Sequence, residues 1–208
     1  MLNKQVDNFN LIKTLLSYEK AGDFYFLQLI HRKEDEEEYL TTKRKNYVVK
    51  NYCLYEGDLD RYKNEIINRC NNENLRADLY LNKRNKYKLL PMFKRFINYK
   101  GTSHKYKDCY EQFYNAVKKA SCDRDKKWVV KLENRDWEVA NTYAKIINDL
   151  VESEHKQPFK EFITVPNGID LITKSFSVAT FQKCCYKQNI KPLKILFDYA
   201  TTLYYYGK

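Results

Sequence analysis

The sequence predicts an α+β fold: a mixed β-sheet with helices packed on it, in a single domain spanning residues 1–208. Three observations lead there. Apolar spacing switches back and forth between the helical and the strand period, with no internal repeat and no linker-like gap. The chain has 208 residues, 43% of them hydrophobic and 15% aromatic, which is enough for a real core despite 31% charged side chains. Five Gly and four Pro exclude collagen-like, linker-rich and low-complexity classes. No internal boundary stands out, and residues 1–75 are the candidate subdomain.

The elements follow in order. Val6, Phe9, Ile12, Leu15 and Leu16 recur at helical spacing, so residues 4–17 read as an amphipathic helix. FYFLQLIHR (24–32) is a short aromatic-rich strand, and NYVVKNYCLY (46–55) is its hairpin partner across the acidic run 34–38. Asp58 reads as the N-cap of a helix carrying Leu59, Tyr62, Ile66 and Ile67 and ending near Asn71 and Asn72. ADLYLN (77–82) is a third strand, running into a basic helix, KRNKYKLLPMFKRF, that Pro91 starts or interrupts. Tyr106, Tyr110, Phe113, Tyr114 and Val117 mark a helix over about 105–120. Trp128 to Leu132 is a compact strand, followed by a helix from Asp136 to about Glu154. EFITV (161–165) and Ile169 to Thr173 form a hairpin about a Pro-Asn-Gly turn. A short helix near 178–186 and a last strand near 194–205 complete the pattern.

Charge is concentrated. The formal net charge is +11, and residues 41–110 carry +10 of it, against −3 over residues 1–40. Codon bias toward Lys, Asn, Tyr and Ile is the alternative explanation; it accounts for the lysine content and less well for this clustering. A local excess of this size attracts polyanions, and nucleic-acid backbones are the commonest such partner. No apolar run approaches the roughly 18 residues of a membrane span, and the N-terminus lacks the apolar segment and cleavage site of a secretory signal. Six cysteines without CxxC spacing, Cys184 and Cys185 adjacent among them, read as reduced thiols. The expected location is cytoplasmic, with no membrane partner.

Catalytic templates are missing. There is no GxxxxGK[ST] or GxGxxG loop, and the three histidines at 31, 104 and 155 are scattered, so no metal site or cofactor is expected. His31 reads as a surface or strand-edge residue. In WVVKLE (128–133), strand alternation puts Lys131 and Glu133 on one face, where they read as an ion pair rather than as the paired carboxylates of a metal site. Asp170, two residues past the Gly of the hairpin turn, either joins Glu133 at a metal or points to solvent.

The segments DFYFLQLIHRK (23–33), LRADLYLNKRNKYK (75–88), YNAVKKA (114–120), KKWVVKLENRD (126–136) and PNGIDLIT (166–173) carry a resemblance. The chain resembles a family of small proteins from phages and mobile elements of Bacteroidetes-type bacteria, which is itself similar to archaeo-eukaryotic-type primases. The resemblance implies a primase-like (RRM-like) core. It implies a metal-binding Asp-x-Asp at the end of the tryptophan strand and a phosphate-contacting His in the hairpin. Here Lys131 and Glu133 stand at the two acidic positions and Asp170 at the His position. An ammonium at a metal site repels the ion, so the resemblance implies a scaffold whose catalytic centre is lost.

The surviving feature is basic and aromatic. Arg76, Lys83, Arg84, Lys86, Lys88, Lys94 and Arg95, interleaved with Tyr80 and Tyr87, form a candidate nucleic-acid surface that Lys43, Arg44 and Lys45 extend. The expected function is non-catalytic binding of nucleic acid, RNA favoured. The resemblance extends this to a phage-encoded inhibitor or regulator of a host nucleic-acid machine, such as an anti-CRISPR acting on a nuclease ribonucleoprotein. One alternative is an active primase or nucleotidyltransferase with relocated ligands at Glu133, Asp136 and Asp170. Another is a protein-interaction module docking through its acidic run or aromatic surface.

Overall fold

A computed structural model describes residues 5–32, 46–100, 106–122, 126–150 and 158–207. Lys43, Arg44, Lys45 and the acidic run 34–38 lie outside these residues. The order is β1 (Val6–Asp7), α1 (Phe9–Leu15), β2 (Asp23–His31), β3 (Tyr47–Leu54), α2 (Asp58–Glu73), β4 (Arg76–Asn85), α3 (Lys86–Lys100) and α4 (Tyr106–Lys119). It continues with β5 (Trp128–Leu132), α5 (Trp137–Asp149), β6 (Phe159–Val165), β7 (Gly168–Thr173), α6 (Val178–Lys187), β8 (Lys194–Leu196) and β9 (Ala200–Tyr205).

The α+β class is as expected, but the strands divide into two sheets. One runs β1-β9-β4-β2-β3 and the other β6-β7-β5-β8. Every pairing among the described strands is antiparallel. β3 and β4, joined through α2, are not neighbours: they run parallel to each other on either side of β2, a split β-α-β arrangement. Residues 1–75 do not close a sheet alone, because β9 from the C-terminal end stands between β1 and β4.

Alternation along the strands builds the layers. On one face of the five-stranded sheet, Leu27, Leu29, Ala77, Leu79 and Leu81 pack with Phe9 and Ile12 of α1, Leu59 and Ile66 of α2, and Val129, Ile163 and Ile172 of the second sheet. On the opposite face Phe24, Phe26 and Tyr80 meet Leu89 of α3 and Ala116, Val117 and Ala120 at the end of α4. The outer face of the second sheet, with Val130, Leu132, Ile169 and Leu171, is covered by α5 and α6. Burying residues such as Phe181 and Ile66, both 0% exposed, contributes roughly 1.5–3 kcal/mol each.

Three local expectations change. The cap of α2 is Gly57 at φ +81°, while Asp58 is the first helical residue and accepts a hydrogen bond from the Tyr55 amide (2.9 Å). Pro91 lies inside α3. The last strand is two strands in different sheets, β8 beside β5 and β9 beside β4, broken at Phe197-Asp198-Tyr199. Asp198 bonds Arg84 there, which turns the chain from one sheet to the other. The six cysteines are free thiols, and no described helix is long and apolar enough to cross a membrane.

Candidate functional site

The basic run of β4 and α3 is not one surface. β4 is central and covered on both faces, so its charged residues are buried: Arg76 is 7% exposed, Lys83 3% and Arg84 0%. Arg76 lies over the Tyr205 ring, 5.5 Å from its centre. Tyr80 is buried too, its hydroxyl bonded to that of Tyr114, so it offers no stacking face. Arg84 has an architectural position. Its Nη2 donates to both carboxylate oxygens of Asp198 at 2.8 Å, its Nε to the Val117 carbonyl at 3.1 Å, and its Nη1 to the Asn82 carbonyl. Asn82 works beside it: Nδ2 donates to the carbonyls of Lys127 (3.0 Å) and Phe197 (3.3 Å), and Oδ1 accepts from the Lys127 amide (2.7 Å). Together the two residues tie the lead-in of β5 and the β8–β9 link to β4. On α3, by contrast, Tyr87, Lys88, Lys94 and Arg95 are exposed and Lys86 is half-buried.

Of the three positions that the resemblance marks as a degenerate catalytic centre, Lys131 and Asp170 meet and Glu133 stands apart. β5 ends at Leu132, so Glu133 lies in the following bend, exposed, and makes no strand pair with Lys131. Lys131 instead stands directly opposite Asp170 in the β5–β7 ladder, its Nζ 4.7 Å from the centre of the Tyr199 ring. Asp170 neither reaches solvent nor joins Glu133. It is 1% exposed, faces the five-stranded sheet, and accepts a hydrogen bond from Thr201 Oγ1 (2.8 Å). Burial pushes its carboxyl up to about 6, against the opposing pull of Lys131, the Thr201 bond and Arg76; Asp78 adds to the rise. Asp136 is the N-cap of α5, accepting from the Glu138 and Val139 amides at 3.0 Å each. The hairpin glycine answers a packing need, since a Cβ at Gly168 would lie 2.0 Å from the Leu132 carbonyl oxygen. Among the described residues no group of three His, Cys, Asp or Glu could hold a metal ion. His31, expected at the surface, is 8% exposed and stacked on Tyr47 at 5.0 Å.

The structure does bring charge together in a place the linear run does not mark. A groove of about 1150 Å³ is lined by Lys20, Lys83, Lys88, Lys127, Lys160 and Lys174, against two carboxylates, Glu19 and Asp23. Alternation continues the row Ala77, Leu79, Leu81 with Lys83, so this lysine points to the side of the first sheet where the second sheet lies. Lys127 enters just before β5, while Lys160 and Lys174 come from β6 and the end of β7. Both carboxylates engage Lys83, Glu19 at 3.2 Å and Asp23 at 3.5 Å. Among the described residues, Lys20, Lys88 and Lys160 have no carboxylate partner, so their charge faces the groove uncompensated.

The groove floor is rigid. Asp23 is 3% exposed and accepts from the amides of Glu19 (3.2 Å) and Lys20 (2.9 Å) and from Asn85 Nδ2 (2.8 Å). Burial alone would raise its carboxyl; these bonds and the Lys83 ammonium outweigh it and hold the group below the usual carboxylate range. Asn85 passes the constraint on, its Oδ1 capping α3 at the Tyr87 amide (3.0 Å). Four of the six groove lysines, Lys20, Lys127, Lys160 and Lys174, lie outside the 41–110 stretch that the charge sums single out. No local pattern marks them, because what unites them is the packing of two sheets. Compared with protein families, with curated proteins and with solved structures, the chain matches none.

Proposed function

We propose that this chain is a nucleic-acid-binding protein that takes a phosphate backbone into the lysine groove between its two sheets. The observation that carries the reading is the convergence of six lysines from separate segments on one groove, where both carboxylates are already committed to Lys83. Lys20, Lys88 and Lys160, which have no carboxylate partner among the described residues, are ammonium groups of the kind that exchange condensed counterions for phosphates. At about 1150 Å³ the groove exceeds the usual range for a small-molecule pocket, roughly 300–1000 Å³, and suits a polymer better than a single nucleotide. Exposed Lys94 and Arg95 on α3 extend the positive field beyond Lys88. The role of inhibitor of a host nucleic-acid machine is a further step that rests on the resemblance.

Fluorescence anisotropy with a labelled 20-nucleotide RNA, and the matching DNA, tests the reading. If about four lysines each neutralise a phosphate, affinity falls roughly 50-fold between 50 and 200 mM salt. The triple variant Lys20→Glu, Lys88→Glu, Lys160→Glu should weaken binding at least tenfold and flatten the salt slope. Its melting temperature should stay close to that of the parent, since all three side chains are exposed. No binding at 50 mM salt, or equal binding by the triple variant, would overturn the proposal.

A further inference from the structure

Six large aromatic side chains are exposed among the described residues, at Tyr47, Tyr55, Tyr87, Trp137, Tyr186 and Phe197; of these, Tyr87 lines the lysine groove. It is 61% exposed, yet it is held in place from several sides. Its amide is capped by Asn85, whose own Nδ2 is bonded to Asp23 at the groove floor. The edge of its ring lies against Gly22: a Cβ built there would come within 2.8 Å of Tyr87 Cε2, 3.0 Å of Cδ2 and 2.8 Å of Lys86 Cγ. Gly22 sits at φ +82°, and its carbonyl accepts the Lys86 amide at 2.9 Å, so the turn before β2 and the start of α3 are fastened together. Lys86 Nζ lies 5.0 Å from the centre of the Tyr87 ring and 6.0 Å from that of Tyr55.

An exposed ring would normally sample several rotamers and lose that freedom on binding. One edge of this ring lies against Gly22, which narrows its choice of rotamer, and the ring borders a row of ammonium groups. We infer that Tyr87 is a stacking platform for an unpaired base and that the groove takes single-stranded rather than duplex nucleic acid. The inference rests on the lysine groove being a phosphate-binding site and names its substrate class. In a duplex the base faces are covered by their neighbours, so a lone ring beside a phosphate track has nothing to stack on; in a single strand each base offers a π-face.

Anisotropy titrations with three probes of equal length separate the possibilities: a single-stranded oligonucleotide, the same backbone with abasic sites throughout, and a duplex. Tyr87→Ala should weaken binding of the base-bearing single strand by roughly tenfold or more, the loss expected for one stacked base. Tyr87→Phe should retain affinity within about twofold, because the ring rather than the hydroxyl is used. Parent and Tyr87→Ala should bind the abasic strand alike, and the parent should favour the single strand over the duplex. Equal binding of the base-bearing strand by parent and Tyr87→Ala, with the lysine triple variant still impaired, overturns the platform and leaves the groove standing. A loss that is the same on abasic and base-bearing strands also overturns it, since Tyr87 would then act on the backbone. If the parent binds none of the probes, the groove reading itself fails.

Discussion

Arg84→Ala should lower the stability of the fold by about 2–4 kcal/mol: the buried guanidinium is lost from its acceptors, while the Asp198 carboxylate it leaves is 30% exposed and regains water. The guanidinium is 0% exposed and serves three acceptors at once: the Asp198 carboxylate, the Val117 carbonyl at the end of α4 and the Asn82 carbonyl of β4. It also lies over the Tyr80 ring, 5.7 Å from its centre. Alanine leaves those acceptors without their donor and opens a void between β4 and α4. For a chain of this size the melting temperature should fall by roughly 10 °C. Lys88→Ala, four residues on but exposed, should change stability by less than about 0.5 kcal/mol. Urea unfolding of the two variants side by side checks this. If Arg84 were instead a phosphate-binding residue at the surface, its variant would weaken nucleic-acid binding and melt like the parent, and the architectural role would be rejected.

Asp170 should make stability fall as pH rises from about 4 to 7. Its carboxyl titrates near 6 in the folded protein and near the ordinary aspartate value when unfolded, so the folded state holds the extra proton across that interval. The stabilisation is fully present below about pH 4 and is lost as pH rises through 6; a shift of this size amounts to about 3 kcal/mol. Asp170→Asn keeps an acceptor for Thr201 Oγ1 and has no proton to lose. Relative to the parent it should therefore gain about 2.5 kcal/mol between pH 4 and pH 7. Asp23, held below the usual range, acts in the opposite direction, but it is common to both proteins and drops out of the difference. Chemical denaturation at several pH values measures the effect, and a difference that does not change with pH would reject it. Lys131→Met should steepen the dependence, because Lys131 faces Asp170 across the ladder and favours its charged form.

Both results bear on how much of this protein is legible in its sequence. The α+β class was, and so were most elements, because the apolar spacing that defines them repeats over a few residues. FYFLQLIHR matches β2 to within one residue at each end, WVVKL is β5 in full, and the Pro-Asn-Gly turn joins β6 to β7. The candidate site was legible only in part. Lys83, itself nearly buried, and Lys86, Tyr87 and Lys88 are in or beside the groove, whereas Arg76, Tyr80 and Arg84, equally prominent in the same run, are buried away from it. A one-dimensional run cannot separate them, since a charged residue on a central strand is indistinguishable in sequence from one on an edge until its neighbours are known.

By itself, then, the sequence determined what short-range periodicity and total charge can determine: an α+β class, the order of its elements, and a strongly basic chain with a real core. The tertiary structure decided the rest. It divided the strands into two antiparallel sheets, split the last strand between them, turned Asp170 inward and Glu133 outward, and brought Lys20 and Lys160 to one groove across 140 positions of chain. These outcomes depend on strand pairings and layer contacts between residues far apart in sequence. Such contacts carry no local signature, because their energy comes from burying faces that do not exist until the sheets have formed.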